Sequence, residues 1–133
     1  MTKNISSFKN KLSKFVFNAS ASKDSILSLR HLNLPLDYLE FIALTDGGGD
    51  YLVLWKAEKL ETFNKEFEVD VYAKGLFLFG GDGGGEGFGF DMRSQPYKIV
   101  LVPYIGMSLN DAIVVADNFT LLLDKMTESK PLF

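Results

Sequence analysis

Residues 76–91 read Leu-Phe-Leu-Phe-Gly-Gly-Asp-Gly-Gly-Gly-Glu-Gly-Phe-Gly-Phe-Asp, and the fold turns on this stretch. Leu76 to Phe79 is a short continuous apolar run, the pattern of a buried strand. Beyond the glycines, Gly87 to Asp91 sets Phe88 and Phe90 alternately with smaller residues, the period of two of a second strand. Two such runs around a glycine-rich joint predict a hairpin, with glycines at bulged or positive-φ positions. Of 12 glycines in the chain, seven lie between Gly80 and Gly89 and three at Gly47–Gly49. Seven exceed what one turn requires. The surplus points to close approach of another group to the backbone, or to a flexible loop.

Three chemistries compete for this segment. A phosphate loop needs backbone N–H groups aimed at the anion, usually a following helix, and often a lysine. Here a strand pattern follows, no lysine is present, and Asp82 and Glu86 would repel phosphate. Calcium suits Asp82, Glu86 and Asp91 better, as hard oxygen ligands. The repeating Gly/Asp calcium binders, however, stack several copies of their motif, and this chain has one. The reading that fits best is a hairpin turn that contacts a partner and carries no catalysis.

Working outward, Ser22 can cap a helix through Asp24 and Ile26 that closes at Asn33. Pro35 sits near the first turn of the next helix, where its missing N–H costs nothing. Leu36, Leu39, Ile42 and Ala43 mark that helix's apolar face, widened by Tyr38 and Phe41, before Asp46-Gly47-Gly48-Gly49 ends it. Tyr51 to Trp55 predicts a first strand, Lys56 to Phe67 one or two helical turns, and Tyr97 to Val102 a further strong strand. Ala112 to Val115 predicts a short last strand. A final helix runs to Met126, capped by Asp117 or Asn118, with Phe119, Leu122, Leu123 and Met126 inward. Helices, a strand meander and a closing helix make a single α+β domain.

Composition narrows the function. The 133 residues are 47% apolar and 14% aromatic, which excludes an intrinsically disordered chain. With no cysteine and one histidine, thiol nucleophiles, disulfides and two- or three-histidine zinc sites cannot be built. Residues 1–33 hold six basic groups against Asp24, a charge of +5, whereas the remaining hundred hold 8 basic and 16 acidic groups, a charge of −8. The acidic body repels nucleic acid and favours a basic partner surface. Phe8, Leu12, Phe15 and Val16 recur as an amphipathic stripe, so residues 1–21 are expected as a basic helical segment packed on a domain of residues 22–133. The segment lacks the apolar stretch of a secretory signal, and the longest apolar run, Ile99 to Met107, is about half a membrane span. A cytoplasmic protein without membrane contact is the expectation.

Enzymatic constellations are poor. His31 has no motif around it, and carboxylate pairs such as Asp82 with Glu86 need a cleft and a tuned environment. Trp55, closing the first strand, suits the edge of the core or a partner anchor.

Taken together, Leu34-Pro35-x-x-Tyr38-x-x-Phe41, Asp46-Gly47-Gly48, the strand ending at Trp55, and Leu78-Phe79-Gly80-x-Asp82-Gly-Gly-Gly85-Glu86 with Phe90-Asp91 resemble the SUKH superfamily. The likeness is to the branch of fungal Smi/Knr-type cell-wall assembly regulators and many bacterial immunity proteins. It spans roughly residues 22 to 127, closing on the helix Ala116-Asp117-Asn118-Phe119-x-x-Leu122-Leu123. Asp46 replaces the family's usual Asn before the glycine pair; both tolerate turn conformations. The resemblance implies an α+β domain with a mixed, mostly antiparallel sheet of about 4–6 strands flanked by helices. It implies a non-catalytic binding protein without cofactor or metal, an immunity protein blocking a cognate and basic toxin, many such toxins being nucleases. The alternative is an intracellular scaffold or ligand-sensing module of the same fold. Leu34, Pro35, Tyr38, Phe41, Gly47, Gly48, Gly80 and Gly85 are its structural motif, and the expected state is a monomer or weak homodimer. The expected contact residues are Asp46, Asp50, Trp55, Asp82, Glu86, Phe88 and Asp91, with the carboxylates presented together.

Overall fold

The computed structural model describes residues 22–43, 47–48 and 53–126. The segment 1–21 and the expected contact residues Asp46 and Asp50 lie outside the described residues. Ser22 caps helix α1 (Lys23–Leu27), its hydroxyl accepting from the Ser25 N–H at 3.1 Å. A 3-10 turn over Arg30–Leu32 follows, and Asn33 closes it at φ 55°. Helix α2 (Leu36–Ile42) starts from Pro35. Strand β1 (Val53–Leu54) leads through a 3-10 turn to α3 (Leu60–Glu66) and α4 (Val69–Tyr72), the latter not foreseen from the sequence. Strands β2 (Leu76–Gly81), β3 (Glu86–Asp91), β4 (Lys98–Pro103) and β5 (Ile113–Ala116) precede α5 (Phe119–Met126). Asn118 caps α5, its side-chain oxygen accepting from the Leu121 N–H at 2.8 Å.

The sheet is a meander in the order β1-β2-β3-β4-β5, and every described pairing is antiparallel. Alternation splits its residues between two cores. Phe77, Phe79, Phe88, Phe90, Ile99 and Leu101 face α2 and α5, where they meet Tyr38, Phe41, Phe119 and Leu122. Leu76, Leu78, Val100 and Val102 face the other way and meet Val69, Ala73 and Met107. Both faces are covered, which is why β2 is buried at all six positions. The aromatic centre is Tyr38, whose ring stands 5.5 Å from Phe79, 5.3 Å from Phe90 and 4.9 Å from Phe119. Truncating any of these phenylalanines costs about 3–5 kcal/mol.

One expected face is rotated. Leu36 is 61% exposed, because the buried stripe is Leu34, Tyr38, Phe41 and Ile42, at i, i+4, i+7 and i+8. Two side chains then hold the layers. Asp37 on α2 accepts from both the N–H and the hydroxyl of Thr120 on α5, at 3.0 and 2.9 Å. Asn64 on α3 accepts from the Leu78 N–H at 2.8 Å and donates to the Leu78 carbonyl at 2.9 Å. Where two-residue β1 ends, the Asn64 amide continues the pairing of β2.

The glycine motifs resolve into packing. Gly48 exchanges both backbone bonds with Leu54 (2.8 and 2.7 Å), and Leu54 pairs with Gly80 on its other side. Gly47 has φ +82°, and a Cβ there would collide with the Leu54 carbonyl. β1 is therefore clasped between the two glycine motifs.

Candidate functional site

The β2–β3 hairpin tip, residues 82–86, is tied by its own first residue. The Asp82 carboxylate accepts from the N–H groups of Gly84 (2.8 Å) and Glu86 (3.3 Å), and the Asp82 N–H donates to the Glu86 carbonyl at 3.1 Å. Gly83 takes φ +80°, a conformation a side chain would strain. This is a side-chain-closed turn rather than a slack loop.

Of the seven glycines from Gly80 to Gly89, four are filled by the chain itself. A Cβ on Gly87 would stand 2.7 Å from the Tyr104 ring, and one on Gly89 would stand 2.8 Å from the Leu76 side chain. Gly81 lies under the Tyr104 hydroxyl and Gly80 against β1. Gly83 and Gly85 face open space, and Gly84 has only the Asp82 carboxylate near it. The close approach inferred from the glycine surplus is thus made by neighbouring strands and Tyr104, which confines open backbone to the tip.

Beside the tip runs an aromatic row that the sequence reading missed. Tyr104 lies flat on Phe67, with centroids 4.4 Å apart and planes within 4°. Phe67 stacks on Trp55 at 6.1 Å, and Trp55 meets Phe63 edge-on at 4.8 Å. All four are half-buried. Phe63 and Phe67 had the i, i+4 spacing of a helix face, and Tyr104 continued an apolar run, so each passed for core. The Tyr104 N–H donates to the Gly85 carbonyl at 2.9 Å, locking the row to the hairpin. Burial, and then the negative charge of Asp82, push the Tyr104 phenol above its ordinary pKa. Its hydroxyl stays protonated and is a hydrogen-bond donor at neutral pH.

The expected contact residues are divided by this geometry. Asp82 and Glu86 stand at the hairpin tip, whereas Trp55, whose backbone N–H donates to the Phe79 carbonyl, lies farther down β2 and reaches the tip only through the Phe67–Tyr104 stack. Phe88 is 1% exposed and lies in the core, since its side chain points to the Tyr38 face. Asp91 stands at the opposite end of β3, about 17 Å along the strand from Glu86 at strand rise. There the Arg93 guanidinium holds it through two bonds of 2.9 and 2.8 Å, keeping the Asp91 carboxyl below its ordinary pKa. The described carboxylates therefore do not form one cluster: two line the tip, and the third is neutralised elsewhere.

Among the described residues, no group of three or more His, Cys, Asp or Glu is placed to hold a metal ion, and no helix is long and apolar enough to cross a membrane. His31 is exposed and stands 3.3 Å from Glu61. A cleft of about 350 Å³ opens between α3, α4 and β2, lined by Glu61, Asn64, Glu68, Val69, Leu76 and Phe77 among others, away from the hairpin tip. The tip itself offers stacked aromatics, open backbone and two carboxylates on a fixed frame.

Residues 25–125 match the SMI1 / KNR4 family (SUKH-1). No curated protein matches the chain.

Proposed function

We propose that the chain, which belongs to the SMI1 / KNR4 family (SUKH-1), is a non-catalytic protein-binding domain of the cytoplasm, an immunity protein that neutralises a cognate toxin by direct binding. The observation that carries this reading is the hairpin end of the sheet. There Asp82 and Glu86 flank an open glycine tip braced by the Trp55–Phe67–Tyr104 stack. A preformed acidic surface speeds encounter with a basic partner and costs little ordering on binding. Nuclease toxins, which must hold phosphates, present such basic faces.

The test is calorimetric titration of the purified chain with the toxin domain encoded nearest its gene. Glu86→Lys reverses one charge. Asp82→Asn removes the other while keeping the oxygen that closes the turn. A stoichiometric complex is expected, weakened by roughly tenfold or more in the double variant at low salt, with the difference shrinking as salt rises. A toxin domain that does not bind the unaltered chain would overturn the reading.

A further inference from the structure

Ile105, in the turn that ends β4, is 94% exposed, more than any other large hydrophobic among the described residues. The fold gains almost nothing from an isoleucine there, since nearly all of the residue is left in solvent. Its backbone is nonetheless fixed. Tyr104 before it is bonded to Gly85 and stacked on Phe67, Gly106 after it takes φ +73°, and Met107 is buried in the second core. Because the Tyr104 N–H meets the Gly85 carbonyl, Ile105 stands beside the hairpin tip, where Gly83 and Gly85 face open space.

The two segments that meet there carry charge of one sign. Residues 80–88 and 103–107 carry Asp82 and Glu86 and no lysine or arginine. We infer that Ile105 is the apolar anchor of this surface, seating in a small apolar pocket of a protein partner whose rim carries lysine or arginine. The inference rests on the binding reading above and adds the residue that holds the partner. An apolar centre ringed by polar groups is the usual layout of an interface hot spot. The two carboxylates disfavour an anionic membrane or a nucleic acid as the occupant.

The test compares the unaltered chain, Ile105→Ala, Ile105→Arg and Val71→Ala in titrations with the same toxin domain. Val71, 71% exposed on α4, is the control for losing a surface aliphatic elsewhere. Ile105→Ala is expected to weaken binding by roughly tenfold to a hundredfold and Ile105→Arg to abolish it, with Val71→Ala and all melting temperatures unchanged. Full-strength binding by both Ile105 variants, while Glu86→Lys weakens it, would overturn the anchor and leave the acidic surface standing. Equal weakening by Val71→Ala would also overturn it. Failure of the unaltered chain to bind would remove the toxin reading and this inference together.

Discussion

Tyr104 occupies the space a side chain at position 87 would fill. A Cβ on Gly87 would stand 2.7 Å from its ring, which lies flat on Phe67. One bare position on β3 thus allows an aromatic from the end of β4 to brace the hairpin. Gly87→Ala must push the ring off its place, at a cost of about 1–3 kcal/mol. Urea denaturation should show that loss, and near-ultraviolet circular dichroism should show a changed aromatic signal. Unchanged values in both would mean that the stack does not depend on the glycine.

The phenol of Tyr104 gives a dependence on alkaline pH. Burial and then Asp82 raise its pKa in the folded protein above the unfolded value of about 10. Its contribution is fully present below that value and is lost as pH rises through the folded pKa, because the unfolded chain releases the proton first. Tyr104→Phe should flatten the fall in stability above pH ~10. Asp82→Asn should lower the Tyr104 midpoint followed by phenolate absorbance. A midpoint that stays put in Asp82→Asn would contradict the assigned role of that charge.

Asp37 and Thr120 join the first long helix to the last. Removing the carboxylate in Asp37→Ala strands the N–H and hydroxyl of a buried threonine, a loss of about 2–3 kcal/mol. Thr120→Val removes the hydroxyl at constant shape and should cost less. The double variant should be more stable than the sum of the single effects predicts, by about 1 kcal/mol. Strict additivity would mean that the hydroxyl and carboxylate are not coupled.

Asn64 acts as a two-atom strand. Asn64→Ala leaves the Leu78 N–H and carbonyl without partners where β1 stops, which should cost about 2 kcal/mol. Asn64→Asp can still accept but cannot donate, and its charge would face the Leu78 carbonyl. Hydrogen exchange at the Leu78 amide should accelerate in Asn64→Ala, whereas Asn64→Asp keeps the acceptor that covers it. An amide as slow in Asn64→Ala as in the unaltered chain would show that another group covers it.

Much of this architecture is written locally. Phe88 and Phe90 against Gly87 and Gly89 announce a strand with one full and one bare face, and both phenylalanines are in the core. Pro35 and Asn118 mark element ends by backbone chemistry, and they stand at those ends. The glycine pair expected to close α2 does not: that helix ends at Ile42 on a right-handed Ala43, and Gly48 pairs with Leu54 instead. What was hidden depends on contacts between distant residues. Phe67 and Tyr104 are 37 positions apart, and each has an ordinary local pattern. Asp91 looks like Asp82 in composition, yet Arg93 binds it at the other end of the strand, which only the register of β3 reveals. For the same reason Phe88, adjacent in sequence to the exposed tip, points away from it.

The most direct test of the account is hydrogen–deuterium exchange of the chain, free and saturated with the toxin domain encoded beside its gene. New protection should fall at residues 82–86 and 104–106, where the open glycines, the two carboxylates and the end of the aromatic row meet. Protection that spares those residues and appears instead around the Glu61–Phe77 cleft would contradict the central claim, because the partner would then be using another face.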